Sequence, residues 1–258
     1  MHCKKNKFIY VHLPKCAGTF VKHFLLSNMY DDYEENTDLQ RYQKEHDTLG
    51  ERPIKNIKKI FPGTANLPAY VQDRLSPLWD SCFKFTIVRN PWDRVASMYN
   101  FLGGWKYNWI ITTGQEREML PQIEPFHRFY SECDFDGFVD YSFAQGKIKD
   151  FHRGYFETYI HRLSLDGKLA IDEYYKLEDI DYMIDDLCNR LNFKSKKIFT
   201  DWRKNSSAAF KQEKHHMDYY SDWSKEVISN HFREDINFFG YQHAIQLSYP
   251  VTKTFLNN

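Results

Sequence analysis

Lys15 stands in a short turn, Pro14-Lys15-Cys16-Ala17-Gly18-Thr19, between two differently patterned segments. Lys7–Leu13 is β-rich and predicts a strand, while Phe20, Val21, Phe24 and Leu25 recur at helical spacing. A strand, tight turn and helix in this order form an anion trap. Amide N–H groups and the positive end of the helix dipole converge on one point, and a lysine beside them adds a mobile charge. The turn is not a Walker A sequence, which needs its Lys directly after the second Gly, whereas Lys15 precedes Gly18.

A second group with anion chemistry follows the run FKFTIV, Phe83–Val88, whose apolar and β-branched residues predict a buried parallel strand. Arg89 follows that strand, where open α/β sheets bind ligands. Asn90 suits a helix N-cap and Pro91 the first helical position, and Trp92, Val95, Met98, Tyr99 and Leu102 supply an apolar stripe. Ser97 lies two turns into that helix. A planar guanidinium fork and a hydroxyl suit a phosphate monoester. Taken singly, a solvated Arg and a helix-surface Ser would explain these residues equally well.

The elements needed to hold the two groups are those of an α/β chain. Leu169–Tyr175 predicts another strand, and Leu177, Ile180, Met183, Ile184, Leu187 and Leu191 mark an amphipathic helix, which Glu178 is expected to cap or brace. A last helix is expected from about Ser224 to Phe239, with a Ser cap and a stop at Gly240. The stretch 103–165 has weak periodicity and reads as helices and loops that shape an acceptor site. One domain is expected over residues 1–258.

Composition narrows the function. Lys plus Arg equals Asp plus Glu at 35 each, so no overall field draws the chain to nucleic acid or to an anionic membrane, and an anionic ligand must be held locally. No apolar run near the N-terminus is long enough for a signal peptide or a span. Five widely spaced cysteines without a CxxC pair indicate neither a disulfide framework nor a zinc site, and they read as reduced thiols in a cytoplasm. The adjacent His215 and His216 would point apart on a helix or strand, so they read as surface residues rather than metal ligands.

Together the two anion motifs carry a family resemblance. IYVHLPKCAGTFVKHFL resembles the 5′-phosphosulfate-binding loop of the sulfotransferases, and FKFTIVRNPWDRVASMY resembles their 3′-phosphate-binding strand and helix. The look is closest to the carbohydrate sulfotransferase branch and its soluble bacterial relatives, whose motifs read HxPKxGGT and VRNPxxRxxSxY. Cys16 and Ala17 replace the usual small residue and Gly. Asp235-Ile236-Asn237-Phe238-Phe239-Gly240-Tyr241 resembles the closing helix of the family.

The resemblance implies a P-loop-like three-layer α/β fold, with a central mainly parallel sheet flanked by helices. It also implies 3′-phosphoadenosine 5′-phosphosulfate (PAPS) as co-substrate, without a metal. Carried over by residue, the backbone of Cys16, Ala17, Gly18, Thr19 and Phe20 with the Thr19 hydroxyl would cradle the phosphosulfate, and Lys15 would stabilise the leaving phosphate oxygen. Arg89 and Ser97 would grip the 3′-phosphate. His46, in Glu45-His46-Asp47-Thr48, resembles the His-x-Thr/Ser element of relatives and is the candidate general base, with His12 as rival or as a structural histidine. The expected acceptor is a carbohydrate or other small polyhydroxylated molecule. A P-loop kinase or NTPase, and an inactive nucleotide-binding relative, are the alternatives.

Overall fold

The computed structural model describes residues 2–3, 6–29, 69, 79–102, 133–146, 153–193 and 215–242. In chain order these form β1 (His2–Cys3), β2 (Phe8–Tyr10), α1 (Gly18–Met29), β3 (Phe83–Val88) and α2 (Pro91–Asn100). Next come α3 (Phe135–Val139), α4 (Arg153–Phe156), α5 (Tyr159–Leu163), β4 (Ser164–Leu165) and β5 (Lys168–Leu169). The chain continues with β6 (Glu173–Lys176), α6 (Ile180–Arg190), α7 (Asp222–His231) and α8 (Arg233–Phe238). The main sheet has the order β1-β2-β3-β6; its last three strands are parallel, and only β1 is antiparallel to its neighbour. The chain is therefore α/β, with a mainly parallel sheet flanked by helices.

The parallel sheet follows from the sequence of β3. Its residues Phe85–Val88 are all buried, and the one polar side chain among them, Thr86, donates its hydroxyl to the Val11 carbonyl at 2.7 Å. A buried hydroxyl is tolerated when it is paired in this way. Val11 N–H in turn donates to the Phe85 carbonyl, so β2 and β3 stay paired up to the turn holding Lys15. Phe24 of α1, Phe85 and Ile184 of α6 belong to one core cluster, while Trp92 of α2, Phe138 of α3 and Ile228 of α7 belong to a second. A Phe24→Ala change would cost about 3–5 kcal/mol.

Three expectations are corrected in detail. The strand expected over Leu169–Tyr175 is two strands: Lys168–Leu169 pairs with Ser164–Leu165, and only Glu173–Lys176 joins the main sheet. The hairpin turns at Asp166 (φ 50°) and Gly167 (φ 77°), an Asp-Gly pair suited to two left-handed positions. The last helix is broken at Phe232 and opens at Ser221, whose hydroxyl accepts the Ser224 N–H while the Ser224 hydroxyl accepts the Ser221 N–H. Glu178 does not serve the helix that follows it, because its Oε1 accepts the Asn90 N–H at 2.7 Å and its Oε2 the Tyr241 hydroxyl at 3.2 Å. The stop at Gly240, with φ 62°, is as expected.

Candidate active site

The turn after β2 is shaped by two left-handed residues, Lys15 (φ 65°) and Ala17 (φ 55°), on either side of Cys16. Neither is a glycine, so the surroundings must enforce a conformation that costs about 1–2 kcal/mol per residue. Three contacts do so. Cys16 N–H donates to the Leu13 carbonyl at 3.3 Å. The Cys16 side chain is fully buried, with Sγ 3.7 Å from the Pro14 carbonyl and 3.5 Å from the Tyr159 hydroxyl. Gly18 lies directly on the His12 imidazole.

Helix α1 starts at Gly18, and the Val21 N–H donates to the Ala17 carbonyl at 3.1 Å. The amides of Ala17, Gly18, Thr19 and Phe20 therefore precede that bond, at the end of the helix where its dipole favours an anion. Thr19 is exposed there. Lys15 places Nζ over the Phe101 ring, 3.9 Å from its centroid. Burial first, and the neighbouring Arg89 guanidinium second, bring the Lys15 ammonium down to about 7.

Helix α2 starts as its sequence predicts, with the Asn90 side chain accepting from Trp92 N–H at 3.0 Å and Pro91 at the first position. Arg89, immediately before it, donates from Nε and Nη2 to the two Asp93 oxygens at 2.6 and 2.8 Å, and from Nη1 to the Lys15 carbonyl at 3.2 Å. Its charge is held firmly, since the Asp93 carboxylate raises its pKa against the opposing effect of burial. Ser97 is half-buried further along α2.

A buried frame behind the turn joins these parts to distant elements. Tyr159 donates its hydroxyl to the Arg89 carbonyl at 2.8 Å. Asp235 of α8, fully buried, accepts from Tyr159 N–H at 2.7 Å and Ile160 N–H at 2.9 Å, satisfying the first turn of α5. Burial raises the Asp235 carboxyl to about 6 even though those amides oppose it.

The structure thus brings Lys15 and Arg89, predicted from separate motifs, into hydrogen-bonded contact. His46 lies outside the described residues. His12 packs its ring beneath Gly18. His215 is exposed, but His216 is not the surface residue expected: its side chain is 18% exposed, with Nδ1 3.8 Å from Asp93. Desolvation keeps that imidazole below its ordinary pKa, against the pull of Asp93. Arg94 and Asp235 lay in the quoted motifs without an assigned role, and Tyr159 and His216 escaped sequence reasoning as parts of this neighbourhood.

All five cysteines are free thiols. Among the described residues no helix is long and apolar enough to cross a membrane. Comparison with protein families matches residues 1–242 to the sulfotransferase family. No curated protein and no solved structure matches the chain.

Proposed function

Because the chain belongs to the sulfotransferase family, we propose that it moves a sulfuryl group from PAPS to the hydroxyl of a carbohydrate or other small polyhydroxylated acceptor. The observation that carries this reading is the contact between the two anion motifs. They follow adjacent parallel strands, and the Arg89 guanidinium donates to the Lys15 carbonyl. A nucleotide with phosphate at both its 5′ and 3′ positions presents two anions, and a paired arrangement suits it. ATP has no 3′-phosphate for Arg89 to meet.

In this reading the amides from Ala17 to Phe20 and the Thr19 hydroxyl cradle the 5′-phosphosulfate, while Arg89 and Ser97 hold the 3′-phosphate. The acceptor oxygen attacks sulfur as the bond from sulfur to the bridging phosphate oxygen breaks, and that oxygen keeps the electron pair. Lys15 donates a hydrogen bond to it as its charge develops. Such transfers gain most of their rate from positioning and preorganised positive charge. His46 takes the acceptor proton. The products are a sulfate monoester and adenosine 3′,5′-bisphosphate, with no metal in the cycle. Free thiols and a neutral overall charge fit a cytoplasmic enzyme acting on a small molecule or glycan, without nucleic-acid or membrane partners.

Calorimetric titration with adenosine 3′,5′-bisphosphate, beside AMP and magnesium ATP, tests the donor site. Selective binding of the bisphosphate, weakened about tenfold or more by Arg89→Ala, is expected. Preference for magnesium ATP would overturn the reading in favour of a kinase. Transfer of labelled sulfate from PAPS to a panel of sugars and phenols then tests the acceptor class.

A further inference from the structure

The reaction above uses Arg89 and Ser97 of the pattern Arg-Asn-Pro-x-x-Arg-x-x-Ser but leaves Arg94 without a task. Arg94 is fully buried. Its donors go to main-chain carbonyls: Nε to Pro14 at 3.2 Å, Nη1 to Glu157 at 3.1 Å and Nη2 to Tyr155 at 3.0 Å. The rings of Tyr159 and Phe232 lie 4.6 and 5.6 Å from its guanidinium carbon. The Asp235 carboxylate acts on it electrostatically, but its hydrogen bonds all go to neutral carbonyls, and a cation buried in this way is a poor source of stability compared with an apolar side chain of similar volume. Its geometry points instead to the peptide it holds.

That peptide is the one on the N-terminal side of Lys15. The peptide on the other side is held as well, because Arg89 Nη1 donates to the Lys15 carbonyl. Two arginines five positions apart, Arg89 just before α2 and Arg94 within it, thus grip the two carbonyls that bracket a left-handed, non-glycine residue. With both carbonyls drawn toward the arginines, the Lys15 backbone is fixed on both sides. A residue in this conformation persists only where its surroundings over-determine it.

We propose that Arg94 is a positioning residue for sulfuryl transfer, holding the Pro14 carbonyl so that Lys15 keeps the backbone conformation that aims its ammonium at the reacting oxygen. The role rests on the PAPS reading and extends it. A lysine cannot reproduce this contact set, because one ammonium cannot span three carbonyls that a planar fork reaches together. Arg94 acts through Lys15 and not on the 3′-phosphate, so its loss affects the chemical step more than donor binding.

The test compares Arg94→Lys and Arg94→Gln with the parent, measuring kcat and KM for PAPS, binding of adenosine 3′,5′-bisphosphate at pH 6.5, and the pH at which that binding weakens. A fall in kcat of about tenfold or more is expected, with KM and affinity within about threefold. The pH midpoint should rise, because a released Lys15 recovers solvent and with it a more ordinary lysine pKa. Loss of thermal stability with kcat and the pH midpoint unmoved would assign Arg94 to the fold and overturn the proposal. Failure of both variants to fold, even with the bisphosphate present, would do the same. A parent protein that neither binds the bisphosphate nor transfers sulfate overturns the donor reading itself, and the role of Arg94 with it.

Discussion

Gly18 and His12 are in contact so close that a β-carbon at residue 18 would lie 1.8 Å from the His12 Nε2. The need for glycine here comes from the imidazole beneath it, since its φ is not among the positive values. Gly18→Ala must therefore displace either the histidine or the first turn of α1. We expect it to cost about 1–3 kcal/mol in thermal unfolding and to weaken bisphosphate binding about tenfold or more. The double variant Gly18→Ala with His12→Ala should recover much of both. If the single variant melts and binds like the parent, the contact does not constrain the turn.

Lys15 gives donor binding a pH dependence of definite sign. Its folded pKa, about 7, lies below the ordinary 10.5. A bound anion favours the ammonium, so binding takes up a proton above pH 7, and affinity for the bisphosphate should fall as pH rises from about 7 to 9, by up to about tenfold per unit. Stability runs the other way. The unfolded chain binds the extra proton between the two pKa values, so the contribution of this group to folding grows as pH rises across that window. Isothermal titration across pH, with Lys15→Met as the flat control, checks the first statement; an equal slope in the variant would place the titration elsewhere.

Asp93 sets two simple expectations against each other. Removing its carboxylate makes the neighbourhood of Arg89 more positive, which alone would tighten an anion. Yet Asp93 fixes both Nε and Nη2 of that arginine. Orientation should win, and Asp93→Ala is expected to weaken bisphosphate binding about fivefold despite the gain in net positive charge. Tighter binding in calorimetry would show that the carboxylate competes with the ligand.

Asp235 links the closing helix to α5 through two amide hydrogen bonds. Its alanine variant should lose about 1–2 kcal/mol of stability. Because its folded pKa, about 6, exceeds the usual 3.8, the stability tied to its protonation is fully present below pH 4 and is lost as pH rises through 6. The parent should therefore lose stability relative to Asp235→Asn between pH 4 and 6.5 in denaturant melts. A constant difference across that range would contradict the buried-carboxyl assignment.

Local chemistry was legible in the sequence wherever neighbours along the chain decide it. Asn90 and Pro91 start α2 and Gly240 ends the last helix by interactions within a few residues, and Phe83–Val88 carries the apolar, β-branched run of a buried strand in its own residues. Partners far apart in the chain were not legible. Tyr159 meets Arg89 across 70 positions, Asp235 meets Tyr159 across 76, and Arg94 meets Pro14 across 80. Periodicity records which face of an element is apolar, and it carries no information on which distant carbonyl a buried polar group will find. His216 was misjudged for the same reason: the two histidines do not point apart, because at this turn their rings lie 4.3 Å from each other between centroids, and His216 fills the space beside Asp93.

The pairing of β2 with β3, Tyr10 opposite Phe85, turns the sheet into a ruler. Adjacent strands lie about 4.8 Å apart, and each residue advances about 3.3 Å along them, so the offset between the Lys15 turn and Arg89 is a length set by main-chain hydrogen bonds. Side-chain substitutions within the turn can loosen either mark, but the register of the strands that carry the marks is left as it is. A register slip of one residue would move them by a full division and reverse which face Thr86 presents. Discrimination by the distance between two anions would thus be inherited from the backbone, and it would persist while the side chains around an acceptor diverge.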